Sequence, residues 1–582
     1  MKGIILLIAL LSVVNFDKIL SQQENFTQNG PPYAYLNLNN ISTVFRNNGI
    51  SDIDVNQQNS GFVFPKGSGK TAVFMSGLLW GATLNRPNED DPHVGGSVYD
   101  SGLQGGKIIS PGVPEDPALP HIRIYRVRPD VYPGGPYVDL SVEALDEGKT
   151  EMEIRTQYEL DWTEWRASDG APFSDINANG FYDPNVDIPG IPGAVQTIWF
   201  VANDLESANT LSLYGTMPMG IEYQATYWEY KDSVGFDNLF FRKYKLINKN
   251  FDTFDSMYIS MWSDTDIGNA GNDFAGCDTL LNFGFGYNAD GTDPGYDPLP
   301  PPAIGFDLIR GPLVPGNLGE DKNRNGVEDI YDFGLNEDNQ KVLGFINLPM
   351  TAYYYFTLQN PLLSDPPQGT LEGASQFYNF MQGKIGSTGE YFINPVTGLP
   401  TRFALSGDPV AGLGWIDGML QSSGDRRFGL STGPLQMAPG DTQVVIIAEI
   451  AAGAETGINN IDAIALAKYY SQLAQEFYDT MFPVNVDDNN YENILKTYIL
   501  EQNYPNPFNP STKISWQVPE GSRQTLKIYD VLGNEVTTLV DEYKPAGTYE
   551  VEWNASGLPS GVYFYQLSAE GSVETKKMIL MK

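Results

Sequence analysis

Two short stretches alternate oxygen-bearing side chains in a way that suits a hard metal ion. The first reads D-I-N-A-N-G-F-Y-D and offers Asp175, Asn177, Asn179 and Asp183, with Gly180 in sixth place. The second reads D-K-N-R-N-G-V-E-D-I-Y-D and offers Asp321, Asn323, Asn325, Asp329 and Asp332, with Gly326 in sixth place. Calcium takes six to eight oxygens at about 2.3–2.6 Å, so a short loop must turn sharply to bring them to one centre. Short Asp and Asn side chains supply the oxygens, and glycine supplies the turn. The seventh residues, Phe181 and Val327, add main-chain carbonyls. Val186 stands twelfth in the first loop, and Asp187 lies one step beyond it.

A third acidic group follows the apolar run Ser256–Trp262. It comprises Asp264, Asp266, Asn272, Asp273 and Asp278, with Cys277 among them. Paired carboxylates of this kind bind metal or perform acid–base work. Metal binding, with Asp264, Asp266 and Asp273 as ligands, is the reading taken, ahead of a polar loop capped by Asp side chains and of acid–base work. Asp290, Asp293 and Asp297 sit in a Gly/Pro-rich segment before Pro300–Pro302 and read as solvated turn residues.

The two loops resemble calcium loops of the EF-hand and dockerin type, in their ligand pattern alone. The resemblance places Asp332 at the twelfth position, where an EF-hand has a bidentate Glu. Pro172, Pro184 and Pro189 surround the first loop where flanking helices would stand, so the ligand pattern carries over and the helical fold does not. The implied cofactor is calcium in a structural role.

Composition supports a hard cation. The 582 residues hold 72 Asp and Glu against 35 Lys and Arg, a net charge of −37. Such a surface repels phosphate backbones, which argues against nucleic acid as a partner, and attracts divalent cations. The one cysteine, Cys277, excludes an intramolecular disulfide, so bound metal is the stiffener to look for. His93 and His121 are the two histidines, too few for a histidine-rich zinc or copper site. Three motif fragments lack their context. Gly67–Thr71 ends like a phosphate-binding loop, but Phe64 replaces the first glycine and no helical pattern follows. Gly105-Gly106-Lys107 lacks the rest of such a motif. Gly429–Gly433 spells G-x-S-x-G between charged Asp425–Arg427 and Pro434, and reads as a surface turn.

These groups must be carried mainly by strands. With 60 Gly, 40 Pro, 33 Tyr and 30 Phe, the chain reads as mostly β. Expected strands cover Ala72–Leu84, His121–Val127, Gln196–Val201, Glu222–Tyr230, Leu239–Ile247, Ser256–Trp262 and Gln443–Ile450. Turn-rich segments between them suit sandwiches or barrels. One helix is expected, where Ile461, Ala465, Tyr469, Leu473 and Phe477 recur every four residues and Pro483 follows. Trp162, Trp165, Trp199 and Trp228 lie around the first loop. They read mainly as core, with sugar stacking as the alternative for one or two of them.

The last eighty residues carry their own pattern. They run N-Y-P-N-P-F-N-P-S-T, L-K-I-Y-D-V-L-G-N-E-V, P-A-G-T-Y-E-V-E-W, S-G-V-Y-F-Y-Q-L and E-T-K-K-M-I-L-M-K. Lys513–Val518, Thr525–Tyr529, Thr548–Trp553, Val562–Leu567 and Lys577–Met581 are apolar-alternating strands separated by Gly533, Gly547, Gly557 and Gly561. A small Ig-like antiparallel β-sandwich is expected. This segment resembles the type A C-terminal sorting domain of cargo exported by the bacterial type IX secretion system. The resemblance implies export across the outer membrane, with the secretion machinery as partner, and then release or surface attachment.

At the other end, Met1 and Lys2 precede an apolar run from Ile4 to Val14, the pattern of a signal peptide with cleavage after Ser21. The run is too short for a span of ~20 residues, and no membrane span is expected once it is removed. The expected organisation is a signal peptide at 1–21, an acidic multi-sheet β cargo of two or three packed units at 22–485, a linker at 486–502 and a sorting domain at 503–582. The expected function is that of a secreted or cell-surface, calcium-stabilised protein with a structural, adhesive or binding role. Its partner would be a surface polysaccharide or another surface protein. A carbohydrate-active or other hydrolase is the alternative.

Overall fold

The structure, a computed structural model, describes residues 32–55, 59–86, 91–232, 235–316, 333–481 and 499–580, apart from 501, 504, 519–521, 532–533, 545–546 and 570–571. The second loop, with Asp321, Asn323, Asn325, Val327, Asp329 and Asp332, lies outside the described residues, as do the signal segment and nearly all of the 486–502 connection. The chain separates into two compact units, Met1–Pro483 and Val484–Lys582.

The first unit is built on two antiparallel sheets. In the nine-stranded sheet the order runs Tyr125–Val127, Gln196–Asn203, Ile221–Glu229, Leu239–Asn248, Thr442–Ala452, Ala303–Arg310, Phe283–Asn288 and Asp273–Asp278, with Gln104–Gly105 beside Gln196–Asn203. The six-stranded sheet runs Ala352–Thr357, Arg426–Met437, Phe254–Thr265, Met75–Leu84, His93–Val98 and Asp100–Ser101.

Side chains alternate across a strand, so each strand of the large sheet feeds two faces. Phe240, Tyr244, Val445 and Ile447 point into a core shared with Leu78, Trp80 and Trp262 of the smaller sheet. There the Trp80 and Tyr223 rings lie 6.1 Å apart across the two sheets. Leu239, Phe241, Ile446, Ala448 and Ile450 take the opposite face, against the helix Asn460–Met481. Covering both faces explains why Ile221–Glu229 is buried at every position.

The expected helix therefore exists, but its deepest stripe is Ala463, Ala467, Tyr470, Ala474 and Tyr478. The large residues read from the sequence, Ile461, Tyr469, Leu473 and Phe477, are only partly buried, on its shoulders. Small alanines let the helix approach the sheet closely, and large residues then wedge at the sides.

Among the described residues, four α-helices beyond the expected one are present: Ser141–Glu147, Glu151–Thr163, Ser207–Tyr214 and Leu371–Met381. Glu151–Thr163 opens on a capping box between Thr150 and Glu153 and buries Ile154, Tyr158 and Trp162 at four-residue spacing. Leu371–Met381 lies on the six-stranded sheet, where the Phe356 and Phe380 rings are 4.7 Å apart. Gly81 makes room for it, since a Cβ there would come within 2.5 Å of the Met381 methyl.

Two other readings are corrected. Gly429–Gly433 is no surface turn: it runs inside the strand Arg426–Met437, with Ser431 fully buried. The next element is the strand Thr442–Ala452, so the helix of a nucleophile elbow does not follow. Asp293 is buried rather than solvated. It accepts from Asn288 Nδ2 at 3.1 Å and from the Gly295 N–H at 2.6 Å.

The second unit has two sheets, one of Ile499–Leu500, Ser511–Val518 and Gly547–Asn554 and one of Glu535–Lys544, Ser522–Tyr529, Gly561–Ala569 and Ser572–Leu580. Both contribute to one core of Leu500, Ile514, Trp516, Leu526, Ile528, Trp553, Tyr565 and Met578, so the unit is a small β-sandwich. Glu535–Lys544 and the two-residue strand Ile499–Leu500 are absent from the sequence reading; the burial pattern of the former lacks clean alternation.

Candidate metal centre

In the first loop, side-chain oxygens are gathered by the loop's own backbone. Asp175 accepts from the Asn179 N–H at 3.1 Å and the Gly180 N–H at 2.6 Å. Asn177 Oδ1 accepts from Asn179, and Asn179 Oδ1 accepts from Phe181 at 2.7 Å. Gly180 takes φ +78°, the left-handed turn that glycine permits at no steric cost. Asp183 accepts from the Asn185 N–H at 2.9 Å. Asp187 is buried and spans the loop from inside, accepting from the Ile176 and Asp183 N–H groups at 2.9 and 2.7 Å. The loop is thus a tight set of Asx turns, with the Phe181 side chain exposed.

The third acidic group is organised differently, by strand register. Phe254–Thr265 pairs antiparallel with Arg426–Met437, and Asp264 sits opposite Arg427. Asp266 lies two residues beyond Asp264, and Asp425 two before Arg427. The two-residue period therefore brings all four to one corner of the sheet. Arg427 Nε donates to Asp264 Oδ2 at 3.0 Å, its Nη2 to Asp425 Oδ2 at 2.8 Å and its Nη1 to Asp365 Oδ2 at 3.2 Å. Tyr99 donates to the other oxygen of Asp365.

Asp264, Asp266 and Asp425 each offer a carboxylate oxygen within 4.8 Å of the others. Asp264 is 5% exposed, and its Oδ1 has no hydrogen-bond partner; Asp425 Oδ1 is likewise buried and unpartnered. Asp266 faces outward and lines a cleft of about 490 Å³ with Asp54, Asn59, Ser60, Thr71 and Phe74. All the donors are hard oxygens, the set that suits calcium or magnesium rather than zinc or copper.

Burial and mutual repulsion dominate the electrostatics. Burial pushes the Asp264 carboxyl up to about 8; Arg427 opposes the shift, and Asp266 and Asp425 add to it. Burial and then Asp425 push Asp266 up to about 6. For Arg427, burial works downward, but Asp264, Asp365 and Asp425 outweigh it and raise its pKa.

Asp273 is fully buried and stands outside the group of three. One of its oxygens accepts from the Ile267 N–H at 3.1 Å, and burial raises its pKa well above the ordinary value. Asp278 pairs with Lys468 at 3.0 Å, and Cys277 is buried with its thiol directed to the Ala404 carbonyl. The structure thus joins Asp264 and Asp266 and adds Asp425, Arg427 and Asp365, which are remote in sequence. The signal for Asp425 was present as D-x-R facing D-x-D, but only strand pairing reveals the facing. His121 pairs with Glu115 at 2.8 Å. Trp162, Trp165, Trp199 and Trp228 are all buried, so they form no exposed sugar-stacking platform.

In the second unit, residues 502–581 match a family described as a secretion system C-terminal sorting domain. These residues are a type IX C-terminal sorting domain. The chain is therefore secreted or cell-surface cargo, and the sorting domain implies interaction with the type IX secretion machinery. Among the described residues, no helix is long and apolar enough to cross a membrane. Comparison with curated proteins finds no match.

Among solved structures, a polysaccharide lyase aligns at 8% identity over 62% of this chain and 34% of that chain, with a TM-score of 0.16. PorZ, a surface component of the type IX secretion system of Porphyromonas gingivalis, aligns at 13% identity over 66% and 43%, with a TM-score of 0.12. A biofilm-associated protein domain aligns at 10% identity over 94% and 81%, also with a TM-score of 0.12. The chain spans less than half the length of the first two, and TM-scores this low carry no argument about fold or activity.

Proposed function

We propose that this chain is an exported structural, adhesive or binding protein whose large β unit is stiffened by bound calcium. The observation that carries the reading is the gathering of oxygen donors at defined places, in the Asp175–Asp187 loop and at the sheet corner of Asp264, Asp266 and Asp425. An acidic chain with a single cysteine and an outward address has few other stiffeners. The proposed partner is a surface polysaccharide or another surface protein. Thermal unfolding of the mature chain tests the calcium claim. Millimolar calcium is expected to raise the melting temperature by several degrees and chelator to reverse the rise. An identical melting temperature in both conditions overturns the claim.

A secreted hydrolase is the second reading. Its support is the Asp266 carboxyl lining an open cleft with the buried Asp264 beside it, both held above the ordinary carboxylate range chiefly by burial. Polysaccharide turnover that disappears in Asp264→Asn would establish it in place of the binder.

A further inference from the structure

We propose that Asp264, Asp266 and Asp425 form a single calcium site that clamps the strand Phe254–Thr265 to its neighbour Arg426–Met437 at one corner of the six-stranded sheet. The inference rests on the calcium-stabilised reading only for the choice of ion; the site itself stands on three observations.

The first is placement. Antiparallel pairing sets Asp264 opposite Arg427, and the two-residue period carries Asp266 and Asp425 to the same corner. Their oxygens lie within 4.8 Å of one another. Two oxygens on one calcium ion can be ~5 Å apart, twice the metal–oxygen distance, so small side-chain rotations close the three onto one ion.

The second is an oxygen left over. Arg427 occupies Oδ2 of both Asp264 and Asp425. The Oδ1 atoms of both are buried without a hydrogen-bond partner, and Asp264 is 95% buried. A buried carboxyl oxygen left unsatisfied is costly, and a cation that displaces the Asp264 proton supplies the missing partner.

The third is charge and access. One guanidinium serves Asp264, Asp365 and Asp425, and Asp266 adds a fourth carboxylate to the corner. Asp266 lines the cleft with Asp54, Asn59, Ser60, Thr71 and Phe74, giving an ion a path in and room for coordinating water. A divalent ion there balances the excess that Arg427 leaves.

The test is calorimetric titration of the full mature chain with calcium chloride alone, at neutral pH. Asp266→Asn and Asp425→Asn are each expected to remove one binding event, or weaken it at least tenfold, and to shrink the calcium-induced rise in melting temperature. Asp175→Asn, in the separate loop, is expected to leave that event unchanged. Asp266 and Asp425 are both partly buried, but only Asp425 is paired with Arg427, so Asp266→Asn keeps the test sound if Asp425→Asn misfolds. Wild-type affinity and stoichiometry in the cluster variants would overturn the site while leaving calcium stabilisation through another loop intact. A wild-type chain that binds no calcium would overturn both.

Discussion

Arg242 is fully buried between the sheets, and its partners show how the core tolerates charge. Its Nη2 donates to Asp52 at 2.9 Å and to Glu449, and its Nη1 donates to the Ser51 hydroxyl at 2.7 Å. Thr43 donates to the other Asp52 oxygen at 2.6 Å. Removing one member of such a group strands buried charge, at a cost of ~3–5 kcal/mol. Arg242→Met is therefore expected to lower stability by that amount in denaturant unfolding, and an unchanged midpoint would contradict this assignment. Nothing near Arg242 in sequence announces the network, because Asp52 and Glu449 arrive from distant segments. Asp264 and Asp266 were legible as an acidic pair, since they stand two residues apart at the end of one strand. Asp425 was not, because only the register between two strands places it beside them.

At the scale of elements, the helix Asn460–Met481 closes the outer face of the nine-stranded sheet. Ile464 is fully buried against that sheet, in the cluster that holds Phe241, Ile446 and Ala448. Ile464→Ala removes apolar contact and leaves a cavity, so a loss of ~2–4 kcal/mol is expected by chemical denaturation. A loss below ~0.5 kcal/mol would mean that the helix does not seal the core. Strands such as Leu239–Asn248 and Thr442–Ala452 were readable because bulky apolar residues, many of them aromatic or β-branched, recur along them. Gly429–Gly433 misled for the opposite reason. Glycine, serine and a following proline mimic a turn, whereas here the small residues permit close packing: a Cβ at Gly429 would meet the Tyr354 ring at 2.2 Å. Glu151–Thr163 was missed although Ile154, Tyr158 and Trp162 repeat at helical spacing, because that stripe lies in a strongly polar segment.

For the molecule as a whole, charge and address decide behaviour. Burial holds the Asp204 carboxyl up at about 6 and Glu229 up at about 7, each opposed by backbone N–H donors. A carboxyl with a raised folded-state pKa adds stability that is complete below the ordinary carboxylate range and is lost as pH rises through the raised value. Calcium-free protein is thus expected to melt at lower temperature at pH 8 than at pH 5. The loss falls between about pH 4 and 7, and each group is worth on the order of 3 kcal/mol. A melting temperature that climbs steadily from pH 5 to pH 8 would refute this reading. The C-terminal unit was the most legible part of the chain, because its motifs are dense and continuous to the end. The cargo's partner was not legible, since it depends on surfaces assembled from many strands.

Where the chain goes is the most direct measurement. Expressed in its exporting cell without residues 502–581, the cargo is expected to accumulate in the periplasm, while the intact chain reaches the surface or the medium. Undiminished appearance of the truncated chain outside the cell would contradict the account.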